Sequence, residues 1–113
     1  MSKYFEDFAL GETFTIPAKT LNDVHFASFA EMTGDAHPIH YDDEYVKKTR
    51  FGKRVTHGLL VTAMTALGAS ALSSLVEDSM VAFLEQSSRF LKPVLIGDTI
   101  VPELEVSELI PKT

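Results

Sequence analysis

The sequence predicts an α+β fold in which an antiparallel sheet wraps a long apolar helix. Three observations carry this expectation. Leu59–Val76 is an 18-residue run without a charge, as in a helix buried on most sides. Apolar and polar residues alternate at Phe14, Ile16 and Ala18, and again at Ile100, Pro102, Leu104 and Val106, the period of a half-buried strand. The order strand, helices, strand, strand then lets antiparallel strands cover the helix.

Taken in order, the first strand runs through residues 13–18, with Pro17 favouring an edge position. Thr20-Leu21-Asn22-Asp23 has the form of a capping box and opens a helix over residues 22–33. Val24, Phe26, Ala27, Phe29 and Ala30 give that helix its apolar face, and Gly34 ends it as a left-handed cap. Pro38 drives His37 out of helical geometry, so residues 37–39 are expected to be extended. Asp42 caps a short helix over residues 43–49, and residues 51–56 form a basic loop. Gly58 opens the long helix, whose Leu59, Leu60, Met64, Leu67, Ala71 and Leu72 supply the packing surface. Met80–Lys92 reads as a long strand kinked near Glu85–Ser88, and Pro93 with Gly97-Asp98 marks the turn into the last strand.

With 113 residues the chain is expected to form a single domain, 1–113, around one core. A formal charge of −6 argues against a nucleic-acid partner, which demands a basic surface. The absence of cysteine removes disulfides, thiolate nucleophiles and cysteine-ligated zinc. The acidic opening MSKYFEDFAL is unlike a signal peptide, so a cytoplasmic location is expected. Residues 59–76 meet the length test for a membrane span. Thr62, Thr65, Gly68, Ser70, Ser73 and Ser74 dilute them, and a buried helix with no membrane partner is the reading.

Residues 34–58 hold three of the four histidines and five of the ten basic residues. Asp35 and His40 flank Pro38, which stiffens the link between them. A carboxylate and an imidazole facing one place can hold a water and move protons both ways near neutral pH. The alternative is that Asp35 turns the chain and His40 lies on the surface. His37, His40, His57 and Asp35 also form a possible metal set, but Pro38 interrupts the His-x-x-His spacing that a helix would need. No metal is therefore expected. Gly58, at a helix N-terminus, offers an unpaired N–H suited to a developing oxyanion, or else serves only the turn into the helix. Lys47, Lys48, Arg50, Lys53 and Arg54 form a basic cluster able to receive phosphates, or simply a solvated face.

Together these residues resemble the MaoC-like (R)-specific enoyl-CoA hydratase/dehydratase family of hotdog-fold proteins. The family's Gly-Asp-x-Asn-Pro-hydrophobic-His run is matched by Gly34–His40, and its Phe-Gly-x-x-hydrophobic-x-His-Gly segment by Phe51–Gly58. Arg89–Thr99 matches a third pattern, and Tyr4-Phe5-Glu6-Asp7 with Gly11 is also typical. The resemblance implies a hotdog fold and reversible addition of water to a trans-2-enoyl-CoA, giving an (R)-3-hydroxyacyl-CoA. It assigns Asp35 and His40 as the catalytic pair and the Gly58 amide as oxyanion donor. His37, His57, Lys53 and Arg54 are expected on the substrate-binding side. His37 stands where asparagine is commonest. No cofactor is implied beyond the coenzyme A of the substrate, and a homodimer is expected.

The resemblance also implies two further strands beyond Thr113, so a C-terminally shortened version or a partner completing the sheet is expected. The alternatives are a non-catalytic acyl-CoA-binding or partner subunit and, less favoured, an acyl-CoA thioesterase. The thioesterase would need a carboxylate on the central helix, where residues 59–76 have none.

Overall fold

A computed structural model describes residues 2–111. The chain groups into two compact units: one from the described parts of 1–17, 65–87 and 101–113, the other from 18–64 and 88–100.

In the first unit, β1 (Thr13–Thr15) pairs antiparallel with β4 (Glu103–Glu105), Phe14 opposite Leu104. Phe14 and Leu104 are half-buried while the flanking Thr and Glu side chains face water. This is the expected alternation. Strand assignment stops at Ile16 and Pro17 on one side and at Pro102 on the other, because proline has no N–H to give a ladder. The Ile16 N–H still donates to the Pro102 carbonyl at 3.0 Å. Lys3 bridges to Glu12 at 2.6 Å and lies over the Phe8 ring.

In the second unit, β2 (Lys19–Thr20) pairs antiparallel with β3 (Thr99–Ile100). Helix α1 (Asp23–Thr33) follows, and its cap is Asn22 rather than the Thr20 box expected. Asn22 Oδ1 accepts from Val24 N and His25 N, and His25 Nδ1 accepts from Asn22 N at 3.1 Å. Thr20 is held in the strand instead, its hydroxyl 2.7 Å from that of Thr99. Phe26 and Phe29 are the buried face of α1, whereas Val24 is exposed. The core of this unit is Leu21, Phe26, Phe29 and Leu60, with Tyr41, Met64, Val94, Ile96 and Ile100 packed against it.

Three expectations fail locally. Residues 37–39 are not extended as a block: Pro38 begins the short helix α2 (Pro38–Tyr41), and only His37 before it is extended. Proline suits a first helical position because the N–H it lacks would be unpaired there. The single helix over residues 59–76 is interrupted. It is present as α4 (Gly58–Ala63), a 3-10 turn at Leu67–Ala69 and α5 (Leu72–Leu75). Ser70, Ser73 and Ser74 turn their hydroxyls onto carbonyls three to five residues back, the local competition that weakens helices rich in serine. Leu59 is 70% exposed, so the core uses Leu60 and not its neighbour. Met80–Lys92 carries no strand assignment among the described residues and exposes Val81, Phe83, Leu84 and Leu91.

Candidate active site

The second unit brings the expected couple together. Helix α1 ends on Gly34 in the left-handed region at φ 80°, its N–H on the Ala30 carbonyl. Asp35 comes next, on a rigid anchor. Its Oδ1 accepts the His37 N–H at 3.3 Å, an Asx-type turn, and the side chain is exposed. His37 then caps α2, its Nδ1 accepting the Ile39 N–H at 3.1 Å. An imidazole nitrogen thus does the capping work of an asparagine oxygen, which accounts for histidine at that position.

One turn on, half-buried His40 sets its Nδ1 2.6 Å from the Val55 carbonyl oxygen. A carbonyl only accepts, so Nδ1 carries a hydrogen and Nε2 is free for chemistry. Asp35, His40 and His57 each offer one donor atom, all within 4.8 Å of one another. His57 is 3% exposed and stacks on His40 with centroids 3.7 Å apart and planes 20° from parallel. Phe29 and Phe26 close its other sides, at 4.4 and 5.6 Å. Burial holds the His57 pKa below its ordinary value, and neighbouring His40 lowers it further while Asp35 opposes.

Ring planes this nearly parallel do not meet within the ~2 Å reach of a zinc–nitrogen bond.

Gly58 is the first residue of α4, and among the described residues its N–H has no acceptor. At six residues the helix offers this amide but not the long aligned stack first expected. A Cβ at Gly58 would lie 3.0 Å from Phe90 Cζ, so the missing side chain makes room for that ring. Beside it opens a cavity of about 440 Å³ walled by Phe51, Val55, Thr56, Gly58 and Phe90, among others. Asp35 and His40 are not in its wall.

The basic residues divide differently from expectation. Arg54 is buried to 11% side-chain exposure and pairs with Asp23 and with Asp43, the latter at 3.1 Å. It also donates to the His40 carbonyl and lies over the Phe26 ring. Its charge therefore braces the site. Lys53 is exposed, while Arg50 and Lys92 line the cavity. Sequence reasoning passed over Lys92 and also Tyr41, whose aromatic ring directly after His40 was the available signal.

A model of the MaoC-like domain matches residues 7–113. The chain belongs to the MaoC-like dehydratase family. It is 35% identical over 109 residues to a 3-hydroxybutyryl-CoA dehydratase of Methylorubrum extorquens, covering 96% of this chain and 67% of that one. It is 30% identical to an (R)-specific enoyl-CoA hydratase of Rhodospirillum rubrum, covering 96% and 73%. Among solved structures, the R-hydratase PhaJ1 of Pseudomonas aeruginosa superposes with a TM-score of 0.79 at 29% identity, covering 96% and 68%. The chain shares the α+β hotdog class of these MaoC-like relatives. Among the described residues no helix is long and apolar enough to cross a membrane.

Proposed function

We propose that this MaoC-like chain is a hydro-lyase that adds water reversibly to a trans-2-enoyl-CoA, giving the (R)-3-hydroxyacyl-CoA. One observation carries the proposal: Asp35 and His40 offer atoms within 4.8 Å of each other, with His40 Nδ1 committed to Val55 and Nε2 left open. In this reading the thioester carbonyl accepts the Gly58 N–H, which draws charge from carbon 3. Water held by Asp35 and His40 attacks carbon 3, its proton passing to the couple. The couple returns one proton to carbon 2 on the same face. Atoms balance as one water added, with no electron transfer and no metal or cofactor required. Such paired acid–base help contributes roughly 10²–10⁴-fold.

The cavity beside Gly58, with Arg50 and Lys92 in its wall, is suited to the charged handle of the substrate. Exposed Val81, Phe83 and Leu84 in the first unit support a homodimer, since exposed apolar side chains of this kind favour a partner.

The test is to follow loss of the enoyl-thioester absorbance of crotonyl-CoA and to resolve the product on a chiral column. Accumulation of the (R)-3-hydroxy isomer is expected. Binding of crotonyl-CoA without turnover would instead favour an acyl-CoA-binding subunit, and free coenzyme A a thioesterase.

A further inference from the structure

Tyr41 sits at the centre of the site, in none of the catalytic roles above. Its hydroxyl oxygen is 2.8 Å from His57 Nε2, 2.9 Å from the Asp35 carbonyl and 3.0 Å from the Phe26 carbonyl. A phenol has one hydrogen to give and lone pairs to receive. Both carbonyls can only accept, so the Tyr41 hydrogen belongs to them, shared or in turn. His57 Nε2 must then donate to the phenol oxygen.

The other tautomer fails on the same count. With Nε2 bare, the Tyr41 hydrogen would be drawn to it, and two carbonyl oxygens would face a phenol oxygen with nothing between them. It would also put a hydrogen on His57 Nδ1, which is buried with no partner among the described residues. Orphaned buried N–H groups are rarer in folded proteins than under-used acceptors, which also favours a bare Nδ1.

We infer that Tyr41 and His57 are a positioning pair for this site: the Tyr41 hydroxyl fixes His57 as the Nε2–H tautomer, and that ring, stacked on His40, holds the His40 ring in place beside Asp35. The same hydroxyl ties the Asp35 main chain, so one side chain sets both halves of the catalytic couple. The inference rests on the hydratase reading for its consequence but not for its geometry. The titratable groups around the His57 ring are Asp35, His40 and Tyr41, and Phe26 and Phe29 supply the apolar remainder. A uniformly charged imidazolium at His57 would repel His40 when His40 takes its proton. A ring held neutral lets His40 cycle.

The experiment pairs long-range ¹H–¹⁵N NMR of the histidine rings with crotonyl-CoA kinetics, on wild type and Tyr41→Phe. In wild type at pH 7, His57 is expected as the Nε2–H tautomer. In Tyr41→Phe the His57 signal shifts to mixed tautomers. There kcat falls roughly 10- to 100-fold, the scale of a small misplacement of reacting groups, while KM changes less than about threefold. His57→Gln, whose amide can still donate to Tyr41, retains more kcat than His57→Leu.

A wild-type His57 found as Nδ1–H or as imidazolium overturns the inference, even if Tyr41→Phe does not fold. An unchanged kcat in folded Tyr41→Phe overturns it as well. A wild type that shows the expected tautomer but no turnover overturns the hydratase reading and, with it, the catalytic half of the inference.

Discussion

Replacing Arg54 with methionine removes the brace that joins three parts of the second unit while keeping most of the side-chain volume. Its partners Asp23 and Asp43 are exposed, with side-chain exposures of 77% and 71%. Each ion pair is therefore worth only ~0.2–1 kcal/mol. The donation to the His40 carbonyl, long at 3.4 Å, belongs at the lower end of the ~0.5–1.5 kcal/mol range for a hydrogen bond. The guanidinium lies 5.7 Å from the Phe26 centroid, adding roughly 0.5–1 kcal/mol. Together these come to about 2 kcal/mol. At roughly 4 °C per kcal/mol for a chain of this length, Tm should fall by ~8 °C.

Thermal melts followed by far-UV circular dichroism measure this for wild type, Arg54→Met and Arg54→Lys. The gap should narrow in high salt, because only the ion-pair share is screened. Lysine should recover less than half of it, since an ammonium cannot reach two carboxylates and a carbonyl with one planar fork. A loss below about 0.5 kcal/mol, or lysine matching arginine, would refute the bracing role.

Other outcomes follow from the same geometry. Gly34→Ala should cost about 1–2 kcal/mol in denaturant titration, because the position lies at φ 80°, where an L side chain is strained. Gly58→Ala should cost about 1 kcal/mol by crowding Phe90. Phe90→Ala in the same chain should remove most of that cost, as a double-mutant cycle would show. Burial lowers the His57 pKa from its ordinary 6.5, so the unfolded chain binds that proton more readily. Its contribution to stability is thus fully present above about pH 6.5 and is lost as pH falls from there through the folded pKa. Folding free energies measured from pH 8 to pH 5 should fall less steeply in His57→Leu than in wild type.

Much of the site was legible because its pieces are local. Gly34 had to end α1, Asp42 had to cap α3 (Asp43–Val46), and Gly97 had to turn the chain; each does so. Asp42 Oδ1 accepts from Glu44 N and Tyr45 N, and Leu95 N donates to Asp98 at the turn. The convergence of Asp35 and His40 was open in spacing alone, because a proline between them is compatible with facing or diverging side chains. Only the helical turn begun at Pro38 decides it.

What was not legible depends on long-range partners. Arg54 looked like any member of a basic cluster until Asp23, 31 residues away, was found beside it. The place of Tyr41 directly after His40 hinted at a role, but not at bonds to residues 15 and 16 positions distant. The break in the 59–76 run could be read only by weighing its serines as helix competitors instead of as neutral diluents.

Hydration of crotonyl-CoA by Asp35→Asn and His40→Gln, each shown to be folded and still able to bind the thioester, bears most directly on the whole account. If the two side chains share one water, each variant loses roughly 10²-fold or more in kcat, and the double variant loses little beyond the worse single one, as groups acting as a unit do. Either single variant turning over at the wild-type rate would contradict it.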